Sequence, residues 1–323
     1  MKAINAAVHL LMAGVLTVLA GHVYAQQAYP NRTITYIAPY GPGTGNDIIS
    51  RIVAQKVTEQ WGHPVVVENR PGATGGIGLE ATAKAPPDGY TIVIASTSQI
   101  INQHVSKVRY DFLRDFAPVS LSGELPYVIA TASNSPAKAI KDLVAMAKAK
   151  PGKLNYGGQV GSVPQFLGVM LKSAGGIDIT MIPYKSTIDA ETDVASGRVE
   201  ILFTTMATAV RLVKSGKIKA LGVAGDKRAA VLPDVPTMAE AGFPTLDVSV
   251  QFFVLAPAGT PKPIVAALNS EIVKAIATQD VRDRLAAAGV LPKSSSPEEV
   301  TAVLKSEVAR WGKIVKESGV RLD

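Results

Sequence analysis

From Thr33 onward, short apolar runs rich in β-branched residues alternate with longer stretches whose apolar positions recur at helical spacing. The runs predict strands at residues 33–38, 65–69, 91–95, 127–131, 178–182, 199–203 and 218–223. Nearly all of their positions are apolar, as in parallel strands covered on both faces; a half-exposed sheet would alternate. Strand and helix alternating on this scale predict mostly parallel α/β sheets flanked by helices.

The last third reads differently. Thr260-Pro261 predicts a helix start with Thr as N-cap and Pro at the first helical position, and Ser296-Pro297-Glu298-Glu299 repeats the idea with capping-box spacing. Val300, Val303, Leu304, Val308, Trp311, Ile314 and Val315 then fall on one helical face, which makes Trp311 a core anchor. Two extended stretches, 117–131 and 246–256, are long enough to pass between lobes. They divide the chain into a first lobe of residues 26–125 plus 250–323 and a second of 126–249, with a cleft between and hinges at the strand ends.

Length agrees with two lobes once the N-terminus is set aside. Lys2, the apolar run 6–20 and the small residues of Val23-Tyr24-Ala25 form a secretory pattern, so residues 1–25 are expected to be a signal peptide and the mature chain to be periplasmic. Of 323 residues, 323 − 25 = 298 remain, more than one core usually serves. Lys2 is the only charge removed, leaving 33 − 1 = 32 basic against 26 acidic side chains, or +6. That surplus is scattered, as at Lys138, Lys141, Lys148 and Lys150 along one helix and Lys214, Lys217 and Lys219 around a turn. With aromatics at only 6%, the pattern argues against a nucleic-acid groove and for solvated faces that draw small anions inward. The absence of cysteine excludes disulfides, thiolate metal sites and thiol catalysis.

Chemistry concentrates where strands end. "TITYIAPYGPGTGNDIISRI" and "VVVENRPGATGGIGLEATAKA" are each strand, glycine-rich turn and helix, and in a parallel sheet both turns face one crevice with unpaired N–H groups that favour negative charge. Ser96 and Ser98 close "TIVIASTS" in the same way. "LNYGGQVGSVPQFLG" repeats the arrangement with Gln159, Gly161 and Ser162, and Tyr184-Lys185-Ser186 and Thr204-Thr205 follow two further strands. Taken singly, each glycine or hydroxyl is good turn or N-cap chemistry; it is their recurrence around one cleft that points to a ligand.

Rival chemistries are weaker. Gly76-Ile77-Gly78-Leu79-Glu80-Ala81 fits G-x-G-x-x-A but starts several residues beyond its strand, and "TIVIAS" lacks the acid that would hold a ribose. The first turn lacks the Lys-Ser or Lys-Thr of a P-loop. Only His63 and His104 lie beyond the leader, no serine has the G-x-S-x-G setting, and no acid or His spacing suggests a metal. His63, just before Pro64, reads as structural. Asp47, in the first turn of a helix, reads as a cap for backbone N–H groups more readily than as a base. An α/β enzyme with a nucleotide cofactor therefore stands second to a receptor that has no catalytic residues, metal or cofactor.

The blocks "VENRPGATGGIG", "APPDGYTIV", "IPYKS", "GRVEILF", "LPDVPTMAEAGFP" and "APAGTPKPIVAALNSEI" together resemble the Bug family, the TctC-like periplasmic receptors of tripartite tricarboxylate transporters, over essentially the whole mature chain. The resemblance implies an α/β Venus-flytrap fold, two lobes joined by two crossover strands, closing as a monomer on a small carboxylate. The partner is the membrane part of such a transporter or, alternatively, a sensor protein. It places one ligand loop at 40–47, with Tyr40, Gly41, Gly43, Thr44, Asn46 and Asp47, and another at 71–76, with Gly72, Ala73, Thr74 and Gly75, holding the carboxylate through backbone amides and ordered waters.

Departures from the family pattern bear on the ligand. Thr44 stands where a second glycine is common, Thr74 interrupts a Gly-rich run, the turn between Tyr156 and Ser162 is shorter by one, and Gln165 replaces a frequent His. Thr204 stands where many relatives have Asp. Losing that acid disfavours an amino acid with a free ammonium and favours a second carboxylate or a neutral polar end. The expectation is a dicarboxylate, aliphatic or aromatic, with its far end read by Ser162, Lys185, Ser186, Thr204 and Thr205. Tyr40 and Phe252 are candidates for an apolar wall, Phe252 equally for the core.

Overall fold

A computed structural model describes residues 29–184, 187–225 and 227–320; the expected signal peptide, Lys185 and Ser186 lie outside them. β1 (Ile34–Ala38) pairs in parallel with β2 (Val65–Asn69) and β3 (Thr91–Ser96), and β3 pairs antiparallel with β9 (Ser249–Pro257). A second set places β5 (Leu154–Gly158) in parallel with β6 (Ile179–Pro183) and β7 (Ile201–Thr205). β4 (Phe116–Ala132) joins the two sets. Its first part runs antiparallel to β9, from Phe116 opposite Pro257 to Pro126 opposite Ser249, and its last residues pair with β7 and β8 (Ile218–Ala224). β4 passes from one sheet to the other at Pro126/Tyr127, with register shifts on either side, at Pro118/Ser120 and Leu121/Gly123 against β9 and at Ile129/Ala130 against β8. The result is a two-lobed α/β fold.

Interior strands are sealed as their composition predicts: β3 and β7 are buried at every position but one terminal residue each. β2 and β6 depart from the expected all-buried pattern. β2 alternates between half-buried and exposed, because as an edge strand it is covered on one face only. Helices α1 (Gly45–Trp61), α2 (Gly76–Ala83), α3 (Thr97–Val105), α4 (Ile140–Ala149), α5 (Val163–Gly175), α6 (Thr187–Ala195) and α7 (Met206–Lys214) follow strands and cover the sheets, and α8 (Lys262–Ala277), α9 (Gln279–Ala287) and α10 (Pro297–Ser318) complete the chain. Lys138, Lys141, Lys148 and Lys150 are exposed in and around α4, as scattered charges should be.

Two expected helix starts meet different outcomes. Ser296 caps α10 as predicted: its Oγ accepts the Glu299 N–H at 3.1 Å, and Glu299 accepts the Ser296 N–H at 2.9 Å. The start at Thr260 is displaced by one residue. Pro261 is the N-cap of α8, and the Thr260 hydroxyl donates back to Pro257 O at 2.7 Å, closing the preceding turn instead. Trp311 is fully buried, its ring edge-on to Phe166 of α5 at 5.8 Å and its Nε1 donating to Glu307. His104 is structural too, its Nε2 lying 3.0 Å from Val308 O. No helix among the described residues is long and apolar enough to cross a membrane.

Candidate functional site

The glycine-rich turn after β1 is organised by Asp47. Gly43 has φ +82°, which only glycine adopts without strain, and this aims its N–H at Asp47 Oδ2, 2.9 Å away. Asn69 Nδ2 and Arg51 Nε donate to Asp47 Oδ1 at 2.8 and 2.9 Å, and Asn69 also donates to Tyr40 O. Burial alone would raise the Asp47 pKa; the Gly43 N–H, Asn69 and Arg51 outweigh it and hold the carboxyl below the ordinary range. Thr44 does not cap α1. Its hydroxyl donates to Gly41 O at 2.9 Å, so the first-turn N–H groups of α1 receive no side-chain cap from it.

The turn after β5 repeats this construction. Gly161, at φ +77°, donates its N–H to Gln165 Oε1 at 2.7 Å, and the Ser162 hydroxyl donates to Gln159 O at 2.6 Å, leaving α5 without a side-chain cap. Thr205, the N-cap of α7, likewise makes no capping bond.

The second loop is strained. Gly72, Ala73, Thr74 and Gly75 all have positive φ, including 48° at Ala73 and 53° at Thr74, where a β-carbon costs about 1–2 kcal/mol. The turn is pinned by Tyr40 Oη donating to Thr74 O at 3.2 Å and Asn102 Nδ2 donating to Ala73 O at 3.2 Å. The Gly75 and Ile77 N–H groups donate to Gly72 O at 3.0 and 3.4 Å, so the anion-sized concavity that such turns form falls to the amides before Gly75.

Tyr40 from the first turn, Thr74 from the strained loop and the turn after β5 meet at one cavity of about 570 Å³, within the range of small-molecule sites. From the first lobe it is lined by Tyr40, Thr74, Ser98 and Asn102, from the second by Gln159–Pro164 and Tyr184, and from the crossover strand by Tyr127. None of the described residues lining it carries a charge. Burial pushes the Tyr40 hydroxyl up to about 12, and burial with Asp193, which accepts the Tyr184 hydroxyl at 2.7 Å, does the same for Tyr184. Both stay neutral at physiological pH.

The expected residues thus separate into four groups. Tyr40, Thr74, Ser98, Gln159, Gly161, Ser162 and Tyr184 line the cavity; Gly41, Gly43, Thr44, Gly72, Ala73 and Gly75 shape the turns beside it. Asn46, Asp47 and Ser96 are buried with their side chains bonded inside the first lobe, to Ile94 O, to the Gly43 loop and to Gln99. Thr204 and Thr205 line a smaller adjoining pocket of about 90 Å³ that shares Tyr127 and Pro164 with the main cavity. Phe252 is core, 2% exposed and packed under Gly45. Asn102, Tyr127, Val160, Val163 and Pro164 were not anticipated, although Asn102 follows Ser98 by one helical turn and so shares its face. The second glycine of the G-x-G-x-x-A run serves packing: a β-carbon on Gly78 would lie 2.9 Å from Pro39 Cβ.

A family model described as "Tripartite tricarboxylate transporter family receptor" matches residues 49–320. Protein BugT of Bordetella pertussis is 35% identical over 298 residues, 91% of each chain. The solved structure of R. palustris Rpa4515 with adipate is 31% identical, covers 91% of this chain and 99% of its own, and superposes with a TM-score of 0.78. MatC (Rpa3494) from Rhodopseudomonas palustris, with bound malate, is 30% identical over 89% of this chain and 100% of its own, with a TM-score of 0.73.

Proposed function

We propose that this chain, which belongs to the tripartite tricarboxylate transporter receptor family and is a solute-binding protein rather than an enzyme, captures a small organic carboxylate between its lobes and delivers it to the membrane part of such a transporter. The observation that carries the reading is the interlobe cavity, whose described lining residues carry no charge and include the start of α5, which has no side-chain cap, and Thr74 of a left-handed turn. Main-chain N–H groups and helix ends attract carboxylates without a paired cation. Hydrogen bonds from neutral donors to an ionised acceptor are stronger than neutral ones, and water exclusion strengthens them further.

One carboxylate sits against the turns at 40–47 and 71–76, and the far end meets Gln159–Ser162 and the Thr204 pocket after closure. Adipate and malate in the relatives make dicarboxylates the first series to test. Residues 1–25 direct export, the mature protein works in the periplasm as a monomer, and the lobes are residues 26–125 plus 250–323 and 126–249. A thermal-shift screen of mono-, di- and tricarboxylates tests the reading. A saturable rise in Tm with at least one carboxylate is expected. A rise with nucleotides and with no carboxylate would overturn it.

A further inference from the structure

The absence of Asp at position 204 suggests from sequence that the far end of the site carries no acid. The folded chain supplies one from elsewhere. Glu191, on α6, lies against Thr204, whose Oγ1 donates to Glu191 Oε1 at 3.3 Å, while Arg211 of α7 donates to Oε2 at 3.2 Å. The Glu191 side chain is 10% exposed, whereas Arg211 is 63% exposed and approaches from the outer surface. Glu191 lines the 90 Å³ pocket together with Thr204, Thr205 and Thr208; Arg211 does not. It lines a separate outer pocket with Thr192, Ser196 and Lys217, so Glu191 forms the wall between the two.

The inner pocket is built to admit a group. Gly157 and Gly158 form part of its floor, and a β-carbon on Gly157 would lie 2.8 Å from Ala190 Cβ and 3.2 Å from the Tyr184 ring. Leu202, Phe203 and Ala190 make the remaining wall apolar, so the hydrogen-bonding groups are concentrated on the threonines and Glu191. A group entering past Tyr127 and Pro164 meets hydroxyls, which donate or accept, and a carboxylate, which when ionised only accepts. Burial, partly offset by Arg211 and Thr204, raises the Glu191 pKa, so an added negative charge nearby is opposed by both desolvation and like charge.

We infer that Glu191 is a specificity-determining residue: the inner pocket takes a ligand end that donates a hydrogen bond, such as a hydroxyl, primary amide or ammonium, and disfavours a second ionised carboxylate. This rests on the proposed carboxylate site in the main cavity and selects the neutral or donor-bearing end from the options that Thr204 alone leaves open. An ion pair that only braced the lobe would not discriminate among ligand ends.

The test is a four-carbon series sharing one carboxylate and differing at the other end: succinate, succinamate, 4-hydroxybutyrate and 4-aminobutyrate. Each is titrated calorimetrically against the wild type and Glu191→Gln. The wild type should bind at least one donor-ended acid at least tenfold more tightly than succinate. Glu191→Gln should cut that preference at least fivefold by improving succinate binding. Arg211→Gln, which removes the outer partner while keeping the carboxylate, should retain the preference, and this separates selection from loss of the ion pair. Equal discrimination in wild type and Glu191→Gln, or wild-type preference for succinate, overturns the inference while leaving the carboxylate site standing. Binding of none of the four, together with a negative screen of the wider carboxylates, removes the proposed function itself.

Discussion

The turns after β1 and after β5 use one design with different materials. In both, a left-handed glycine gives its N–H to the side chain four residues on, and the N-cap hydroxyl turns back to a carbonyl three residues earlier. The first turn is clamped by a buried carboxylate that also gathers Arg51 and Asn69, and Tyr40 ties it to the strained loop at 72–75. The second is clamped by Gln165, a neutral amide with no charged partner among the described residues, and its Val160 is 52% exposed. The first turn is therefore held by more and stronger bonds than the second. Preorganisation on one side lowers the ordering cost of binding.

The sharpest way to break this comparison is to remove each clamp. Asp47→Ala should cost about 3 kcal/mol, because it deletes the hydrogen bonds that Gly43, Arg51 and Asn69 give to a buried charge. It should also abolish carboxylate stabilisation. Gln165→Ala should cost about 1 kcal/mol and weaken binding without abolishing it. Chemical denaturation with and without ligand measures both, and equal costs would mean that charge plays no part in the difference.

Next in size is Gly43→Val. A β-branched residue at φ +82° strains the turn by about 1–2 kcal/mol, yet nothing lies within 4 Å of the added β-carbon, so the fold should survive. Thermal shift should then show a folded protein unresponsive to carboxylates; an undiminished response would remove the first turn from the site.

A smaller effect is the pH dependence of the first clamp. The Asp47 pKa lies below its ordinary value, so the stability it contributes is present above about pH 4 and is lost as pH falls through the depressed pKa. Asp47→Asn should flatten the acid limb of a Tm-versus-pH curve, and Gln165→Ala should leave its shape unchanged. Smallest of all, Ala73→Gly should raise stability by up to about 1 kcal/mol by relieving a left-handed β-carbon. No gain in Tm would mean that the loop carries no strain.

Much of this architecture is legible in the sequence because buried parallel strands are written as apolar runs: β2 is predicted to the residue, and β1, β3, β6, β7 and β8 to within two. The Gly43 and Gly161 turns are legible because glycine stands where a left-handed backbone follows a strand. Legibility fails where a residue's role is set by its neighbours in space. Thr260 reads as an N-cap, but its hydroxyl finds a nearer acceptor in Pro257. Asn46, Asp47 and Ser96 sit in the right segments, yet their side chains are bonded inward, which spacing along the chain does not reveal. Glu191 stands 13 residues before Thr204, and only the packing of α6 against β7 brings them together.

The central claim is that neutral main-chain amides from both lobes grip a carboxylate in the interlobe cavity. A crystal structure with the tightest-binding acid tests it most directly. The account predicts carboxylate oxygens about 2.7–3.2 Å from N–H groups, or from waters bridging to them, of the 71–76 loop and the start of α1, with second-lobe contacts around Gln159–Ser162. A carboxylate paired instead with Lys or Arg side chains, or lying outside the cavity, would contradict it.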